Sequence, residues 1–558
     1  MPVYRTQDLN TGVVQECHAQ FARLPKHGKP SRKGNGQAEW TILAGIVMTT
    51  PTSTSKKHDD VQKSDRPSDG DTEDAADEEY WDVECISLAT GSKCLPRGKQ
   101  SQKGDLINDC HAEILARRGF NRWCLLEMQA SVKDPNNAQS RFRYTGDSAS
   151  GSKVTTPLFE LLDPRTQFHL YVSQAPCGDA TTASLALMQT EESKGAFLNG
   201  RQSRLDPGSD AKTQAIPSPL IPGKDAANTQ DMGLAGSKRH RESTDHGDSI
   251  LSKQPRIESA VDTRSPSQLD NVTDEHGCYR VLGFRRGRID YDSVGVLRTK
   301  PGRVDSEPTM SMSCSDKIAR WNVLGLSSAL VAPFIAEPLY LTSVIAGDLF
   351  DAEALERALF QRIGGCHLTD QGTTADEKTK DDQRQLDHPH RMDVHKSNKV
   401  FDYSKDVVTA RSEKEGITIP PVASPCSTSW IASEPSVTEV LINGCKAGAS
   451  TKKQISAKAR SRLCKISMFE TSAALWKSIP ATKPDLVERM IRSSSTVISE
   501  EAQSHPVVYK DWKRLSESYC RSRERLLSTS FRNWIKSDDS LEMFDIDGNS
   551  SLARPTGE

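Results

Sequence analysis

The chain has 558 residues, 35% of them hydrophobic, 13 cysteines and a formal net charge of −2. Length alone suggests about three or four domains, but so low an apolar content does not suit a chain packed throughout. The odd, scattered cysteines and the lack of an apolar leader in MPVYRTQDLN argue against a disulfide-framed secreted protein. The longest uncharged stretch, 323–336, has 14 residues, whereas a membrane helix needs about 20, so it is expected to be core. The expected location is cytoplasmic and/or nuclear.

Along the chain, 51–78 is polar, acidic and poor in aromatics, and reads as a flexible insertion. ECISLA (84–89) reads as a strand followed by TGSKC, where Ser92 and Lys93 form either a simple turn or a contact surface. Asn108-Asp109 can cap a helix whose first turn holds His111 and Glu113. FHLYVS (168–173) alternates as a strand does, and Pro176-Cys177 then opens a helix running through Leu185-Ala186-Leu187. From about 189 to 276 the chain is rich in Ser, Gly, Pro, Asp and Lys and is expected to be disordered. Within it Lys238-Arg239-His240-Arg241 reads as a nuclear signal or a solvated basic cluster.

In RTKPGR (298–303) Lys300 and Arg303 flank a Pro-Gly turn that either contacts substrate phosphates or is merely exposed. Ser313-Cys314-Ser315-Asp316 precedes a helical run with Ile318, Trp321 and Leu324 to Leu326 at core spacing. A third polar stretch, about 365–428, completes the expected insertions. What remains is one α/β domain over 1–540, a mixed central sheet flanked by helices, with 541–558 as a flexible tail. Between 452 and 536 there are 18 Lys and Arg against 8 Asp and Glu. That excess calls for an anionic partner, either nucleic-acid phosphates outside or a polyphosphate inside. Tyr509, Lys513, Tyr519 and Arg523 lie at helix-compatible separations, and the tyrosines among the cations favour the enclosed alternative.

Three fragments supply the chemistry. His111, Cys177 and Cys314 offer one imidazole and two thiolates, a three-ligand set that leaves a zinc ion one position open for water. Glu113, two residues after the histidine, is a free carboxylate suited to moving protons. Zinc nucleobase deaminases use a non-ligating glutamate in H-x-E followed by P-C-x-x-C. Here Ala180 stands where the second cysteine of that motif belongs, so Cys314 must supply the thiolate from 137 residues away. Each proposed ligand sits near a helix N-terminus, where backbone N–H groups favour anionic ligands.

NDCHAEILARR, SQAPCGDA and SMSCSDKIARWNVLGL, with EWTILAGIVMTT (39–50) and ATGSKCL (89–95), resemble the adenosine deaminases that act on RNA, including their tRNA-specific members. The resemblance covers 1–50, 79–187, 277–364 and 430–540. It implies a cytidine-deaminase-like fold and zinc-dependent hydrolysis of adenosine in RNA to inosine, with activated water attacking C6. It also implies His111, Cys177 and Cys314 as zinc ligands, Glu113 as proton shuttle, and Ser92 and Lys93 near the substrate nucleotide.

The resemblance further implies buried inositol hexakisphosphate, held by Asn108, Arg117, Arg118, Lys317, Arg320, Trp321, Lys465, Tyr509, Lys513, Arg523, Trp534 and Lys536. Asp109 and Lys317 resemble a pair linking that cofactor to the metal site. No separate RNA-binding domain is expected before Glu39, RTKPGR lacks the Gly-Glu loop of the double-strand editors, and Thr181-Thr182 follows CGDA where those typically carry Arg first. The tRNA-specific branch is therefore expected, with adenosine 37 of tRNA(Ala) as target and no DNA, membrane or obligate protein partner. An editor of double-stranded RNA and a non-catalytic RNA-binding scaffold are the alternatives; retention of Glu113 argues against the scaffold.

Overall fold

The computed structural model describes residues 2–52, 79–137, 140–145, 158–187, 284–285, 287, 291, 293–300, 307, 309–335, 337–364, 389–449, 455–479 and 507–550. All belong to one compact unit, Met1–Phe197 with Asn271–Glu558. The expected insertions at 53–78, 189–276 and 365–388 lie outside the described residues, as do Lys238 to Arg241 and Arg303.

Nine strands form a mixed sheet: β1 (Val3–Arg5), β2 (Leu43–Pro51), β3 (Tyr80–Thr90), β4 (Gln167–Gln174), β5 (Ser343–Asp348), β6 (Asp393–Lys396), β7 (Ser427–Ile431), β8 (Glu439–Ile442) and β9 (Cys445–Lys446). Their order is β6-β5-β4-β2-β3-β7-β8-β9, with β1 also paired to β3. β4, β5 and β6 run parallel, while β2 pairs antiparallel with both β3 and β4.

Because side chains alternate along a strand, each inner strand feeds two cores. Ala44, Ile46 and Met48 of β2 join Phe168, Leu170 and Val172 of β4 and Val344 and Ala346 of β5 on one face. There they meet Leu115, Phe120 and Trp123 of helix α2 (Ala112–Lys133). Leu43, Val47, Tyr171 and Ile345 point to the other face, against Val13, Val14, Cys17 and Phe21 of helix α1 (Leu9–Arg23). A bulge between Ile46 and Val47 shifts the β2–β3 register. It lets Val83 and Cys85 share a face with Leu88 while Ile86 and Ala89 turn to α2. This is the expected three-layer α/β arrangement.

Two expectations are corrected. Residues 389–428, taken as part of a disordered insertion, carry β6 and helix α5 (Lys405–Lys414) and deliver Phe401 to the core beneath α1. β6 is an edge strand whose side chains remain partly exposed, so no apolar run marks it. Residues 541–550, assigned to a flexible tail, are anchored by one aromatic. Phe544 is fully buried and stacks on Tyr509 at 5.0 Å. The expectation of core at 323–336 holds for Val323, Leu324, Leu326, Leu330, Val331 and Phe334.

Candidate active site

His111, Cys177 and Cys314 come together at the N-terminal ends of three helices. Their candidate ligand atoms all lie within 4.8 Å of one another. His111 is the last residue of a short strand, Asp109–His111, that pairs with Ser92–Cys94 and leads directly into α2. It therefore stands at the N-cap position rather than in the first helical turn. The expected cap by Asn108-Asp109 is absent: the Asp109 carboxylate instead accepts the His111 N–H at 3.1 Å. Cys177 lies two residues before helix α3 (Asp179–Leu187), so that helix begins slightly later than expected. Cys314 is the first residue of helix α4 (Cys314–Leu324), capped by Ser313 Oγ accepting from Asp316 N.

The two thiol segments approach closely. Ser315 N donates to Cys177 O at 3.0 Å, and Cys314 N to Cys177 Sγ at 3.4 Å. Gly178 permits this approach: its φ is +110°, and a Cβ there would come within 2.1 Å of Ser313 Oγ. Across the site, Gly91 has φ +145° and a Cβ would meet Cys110 O at 2.2 Å, so Gly91 lets the Ser92 strand close on His111.

His111 Nδ1 lies 3.8 Å from Cys177 Sγ and 3.6 Å from Cys314 Sγ. Tetrahedral zinc, with about 2.3 Å bonds to sulfur and 2.0–2.1 Å to nitrogen, requires a nitrogen–sulfur separation of about 3.6 Å. The donor set and its spacing therefore fit zinc. Glu113 is buried in the first turn of α2, and its Oε2 has no hydrogen-bond partner. Burial pushes its carboxyl above the usual range, against the downward pull of His111 and Lys300. A buried polar atom left free beside a metal-type cluster is what a proton shuttle requires before substrate arrives.

Lys300 corrects the sequence reading. It is not on an exposed turn but is 1% exposed. Its Nζ donates to Cys314 Sγ at 2.6 Å and lies 3.4 Å from Asp109 Oδ2. Lys317 Nζ donates to the same Asp109 oxygen at 2.5 Å. Burial alone would raise the Asp109 carboxyl, but Lys300 and Lys317 hold it well below the carboxylate range. The same logic keeps Lys300 charged: burial opposes it, and Asp109 with the two thiols overcomes that. Cys177 is held toward the thiolate by a hydrogen bond from Cys314, then by Lys300 and His111.

Of the expected substrate contacts, Ser92 lies opposite His111 in the ladder, and its Oγ is buried without a partner. Lys93 is exposed beside it.

A second cluster lies against α2 and α4. Arg117 stacks on Trp321 at 5.0 Å and Arg320 on Trp534 at 5.3 Å. Arg320 also reaches Tyr519 OH at 3.5 Å. Lys465, at the start of helix α6 (Lys465–Ser478), and Lys513 flank the Tyr509 ring. Glu542 pairs with Lys513 at 2.6 Å and Lys465 at 3.7 Å. Among the described residues no ion pair is seen for Arg117, Arg118 or Arg320.

Burial lowers the Lys465 ammonium to about 8 and the Arg117 guanidinium to about 10. Tyr519 runs the other way: burial raises its hydroxyl, but Arg320 and Arg117 bring it below the ordinary value. Tyr509, Lys513, Tyr519 and Arg523 do not share one helix. Tyr509 opens the short helix Tyr509–Trp512, which Lys513 caps, while Tyr519 and Arg523 lie on helix α7 (Glu517–Ser528), and the bend between them brings both tyrosines to the cations. Asn108 is half-buried, its carbonyl accepting from Leu95 N, and Lys536 is exposed. Glu542 was missed because it lies in the segment read as a tail.

Among the described residues no helix is long and apolar enough to cross a membrane.

Comparison with known proteins places these features. The adenosine-deaminase (editase) domain family matches residues 87–538. The chain is 28% identical over 564 aligned positions to tRNA-specific adenosine deaminase 1 of Macaca fascicularis, covering 95% of this chain and 98% of that protein. It is 26% identical over 534 positions to the Schizosaccharomyces pombe protein of the same name, covering 95% and 96%. A double-stranded RNA-specific adenosine deaminase of Mus musculus is 29% identical over 286 positions, covering 50% of this chain and 17% of that one.

Proposed function

Because the chain belongs to the adenosine-deaminase (editase) family, we propose that this hydrolytic deaminase converts adenosine in tRNA to inosine, with position 37 of tRNA(Ala) as its target. The observation that carries the chemistry is the free Oε2 of buried Glu113 beside the His111, Cys177 and Cys314 triangle. Those three residues would hold zinc, which when bound acidifies a water to a pKa of about 7.

Glu113 does the proton work. Its Oε2 takes a proton from the attacking water and delivers it to purine N1 as the oxygen joins C6. It then takes the remaining hydroxyl proton and passes it to the amino nitrogen, so the C6–N bond breaks and ammonia leaves. Adenosine and water become inosine and ammonia with no net change of protons. A carboxyl raised by burial suits this double duty, since its two forms lie closer in free energy near neutral pH. Ser92 Oγ, buried and unpaired across the ladder from His111, is available to a hydroxyl of the bound nucleotide. Lys93 beside it suits a phosphate.

The preference for tRNA rests on relatives aligned over 95% of this chain that carry the name tRNA-specific, and on the RTKPGR segment. A base in a loop is also the cheaper one to turn into a pocket, because it is already unpaired. The second cluster is assigned to inositol hexakisphosphate. Buried cations without counter-ions are costly, and Glu542 offers one carboxylate to a set that includes Arg117, Arg118, Arg320, Lys465 and Lys513.

The test is to incubate purified protein with tRNA(Ala) transcript and, separately, with a long RNA duplex, and to map inosine by sequencing. Inosine at position 37 of the tRNA, exceeding that in the duplex, supports the assignment. Greater editing of the duplex would reassign the substrate to double-stranded RNA.

A further inference from the structure

The two thiol segments share a sequence pattern: Cys177-Gly178-Asp179 and Cys314-Ser315-Asp316 each place an aspartate two residues after the cysteine. Both carboxylates are fully buried, and a buried carboxylate persists only when it is paired and hydrogen-bonded. Their partners converge. Asp316 Oδ1 accepts from Arg362 Nη1 at 2.7 Å, while its Oδ2 accepts from Arg298 N and Ser313 Oγ. Asp179 Oδ2 accepts from Arg357 Nε at 3.1 Å and lies 3.9 Å from Arg362 Nε. Arg362, itself fully buried, thus stands between the carboxylates of α4, which begins with Cys314, and α3, which Cys177 precedes by two residues.

The local backbone explains how two arginines five residues apart reach one place. In an α-helix, five residues turn about 500°, leaving the two side chains about 140° apart. Arg357–Gln361 is instead a π turn set between Ala352–Glu356 and Arg362–Gly364. Arg362 N–H bonds to Arg357 O, an i→i+5 bond that brings these two residues onto one face. The guanidinium of Arg362 is then fixed by donation to Ala358 O at 3.0 and 2.6 Å.

We infer that Arg362 is a positioning residue for the metal centre: it clamps the N-terminal ends of α3 and α4, and with them Cys177 and Cys314, at the separation the ligand set needs. The inference rests on the zinc reading above. It assigns the π turn a purpose, since an ordinary helix here would face Arg357 and Arg362 in different directions. Lysine carries the charge but not the fork, so Arg362→Lys restores only part of the clamp.

The test measures metal rather than turnover. Wild type, Arg362→Met and Arg362→Lys are loaded with zinc and challenged with a chelator at a temperature where circular dichroism shows each folded. Arg122→Met is the control for general loss of stability, because Arg122 pairs with Glu434 in a separate, partly buried network away from the thiols. The clamp predicts zinc affinity lowered on the order of 10- to 100-fold in Arg362→Met, a smaller loss in Arg362→Lys, and wild-type retention in Arg122→Met. If Arg362→Met does not fold, the Arg362→Lys and Arg122→Met pair decides. Retention of zinc by the Arg362 variants, or equal loss in Arg122→Met, overturns the clamp. A wild type that binds no stoichiometric zinc removes the metal reading beneath it, a separate failure visible before any variant is made.

Discussion

Glu113 and Lys300 show how burial gives ordinary side chains unusual tasks. The Glu113 carboxyl is raised by desolvation and left without a partner, so its removal should cost activity far more than structure. Glu113→Gln is expected to lower single-turnover deamination by at least about 10²-fold while zinc content, read by elemental analysis, stays at the wild-type level. Lys300 faces both thiols and helps hold Cys177 toward the thiolate. Without that cation the thiols bind protons more readily, and protons compete with metal. Lys300→Met should therefore move the midpoint of acid-induced zinc release upward by about one pH unit, read with a chelating dye. The grouping of His111, Cys177 and Cys314 was legible in the sequence because three separate fragments together supply one imidazole and two thiolates, the set a single zinc ion takes. Lys300 was not, because whether a lysine beside Pro-Gly is buried depends on segments distant in sequence.

Lys465 gives a pH dependence with a definite sign. Burial lowers its folded pKa from 10.5 to about 8, so the folded state disfavours the charged form. Lacking a polyanion, the protein loses stability from this group as pH falls from the unfolded value through 8. A bound polyphosphate favours the charged form and reverses that loss. The rise in Tm on adding inositol hexakisphosphate should therefore be larger at pH 7 than at pH 9.5, where Lys465 is largely neutral.

Among the elements, the segments bearing Cys177 and Cys314 approach closely at a glycine. Gly178→Ala places a Cβ against Ser313 at a positive φ, a strain of about 1–3 kcal/mol located at the thiol segments. Its expected signature is a lowered Tm together with weakened zinc retention, measured by calorimetry and chelator challenge. Strand β4 and helix α4 followed from their patterns, because alternation and helical spacing record which face is buried. β6 and α5 did not, since an edge strand and a half-exposed helix bury too little to leave a period. The π turn at Arg357–Gln361 likewise has no periodic mark of its own.

At the scale of the whole molecule, the positive excess in 452–536 has two possible destinations, and the structure draws several of these cations inward. Lys465 and Lys513 pack against Tyr509 and pair with Glu542; under the proposed function it is exposed Lys93 that meets an RNA phosphate. Phosphate contacts of that kind weaken with salt. Lys93→Ala is expected to reduce the slope of log affinity for tRNA against log salt concentration by about one, with zinc content unchanged. Retained wild-type slope would place the RNA elsewhere.

The central claim is that a buried glutamate beside a His-Cys-Cys zinc site deaminates adenosine in RNA. Its most direct test compares wild type and Glu113→Gln, matched for zinc content, acting on tRNA(Ala), with inosine quantified by nucleoside mass spectrometry. Inosine from the wild type and none above background from the variant is the predicted result. Equal inosine from both, or none from a folded, zinc-loaded wild type, would contradict it.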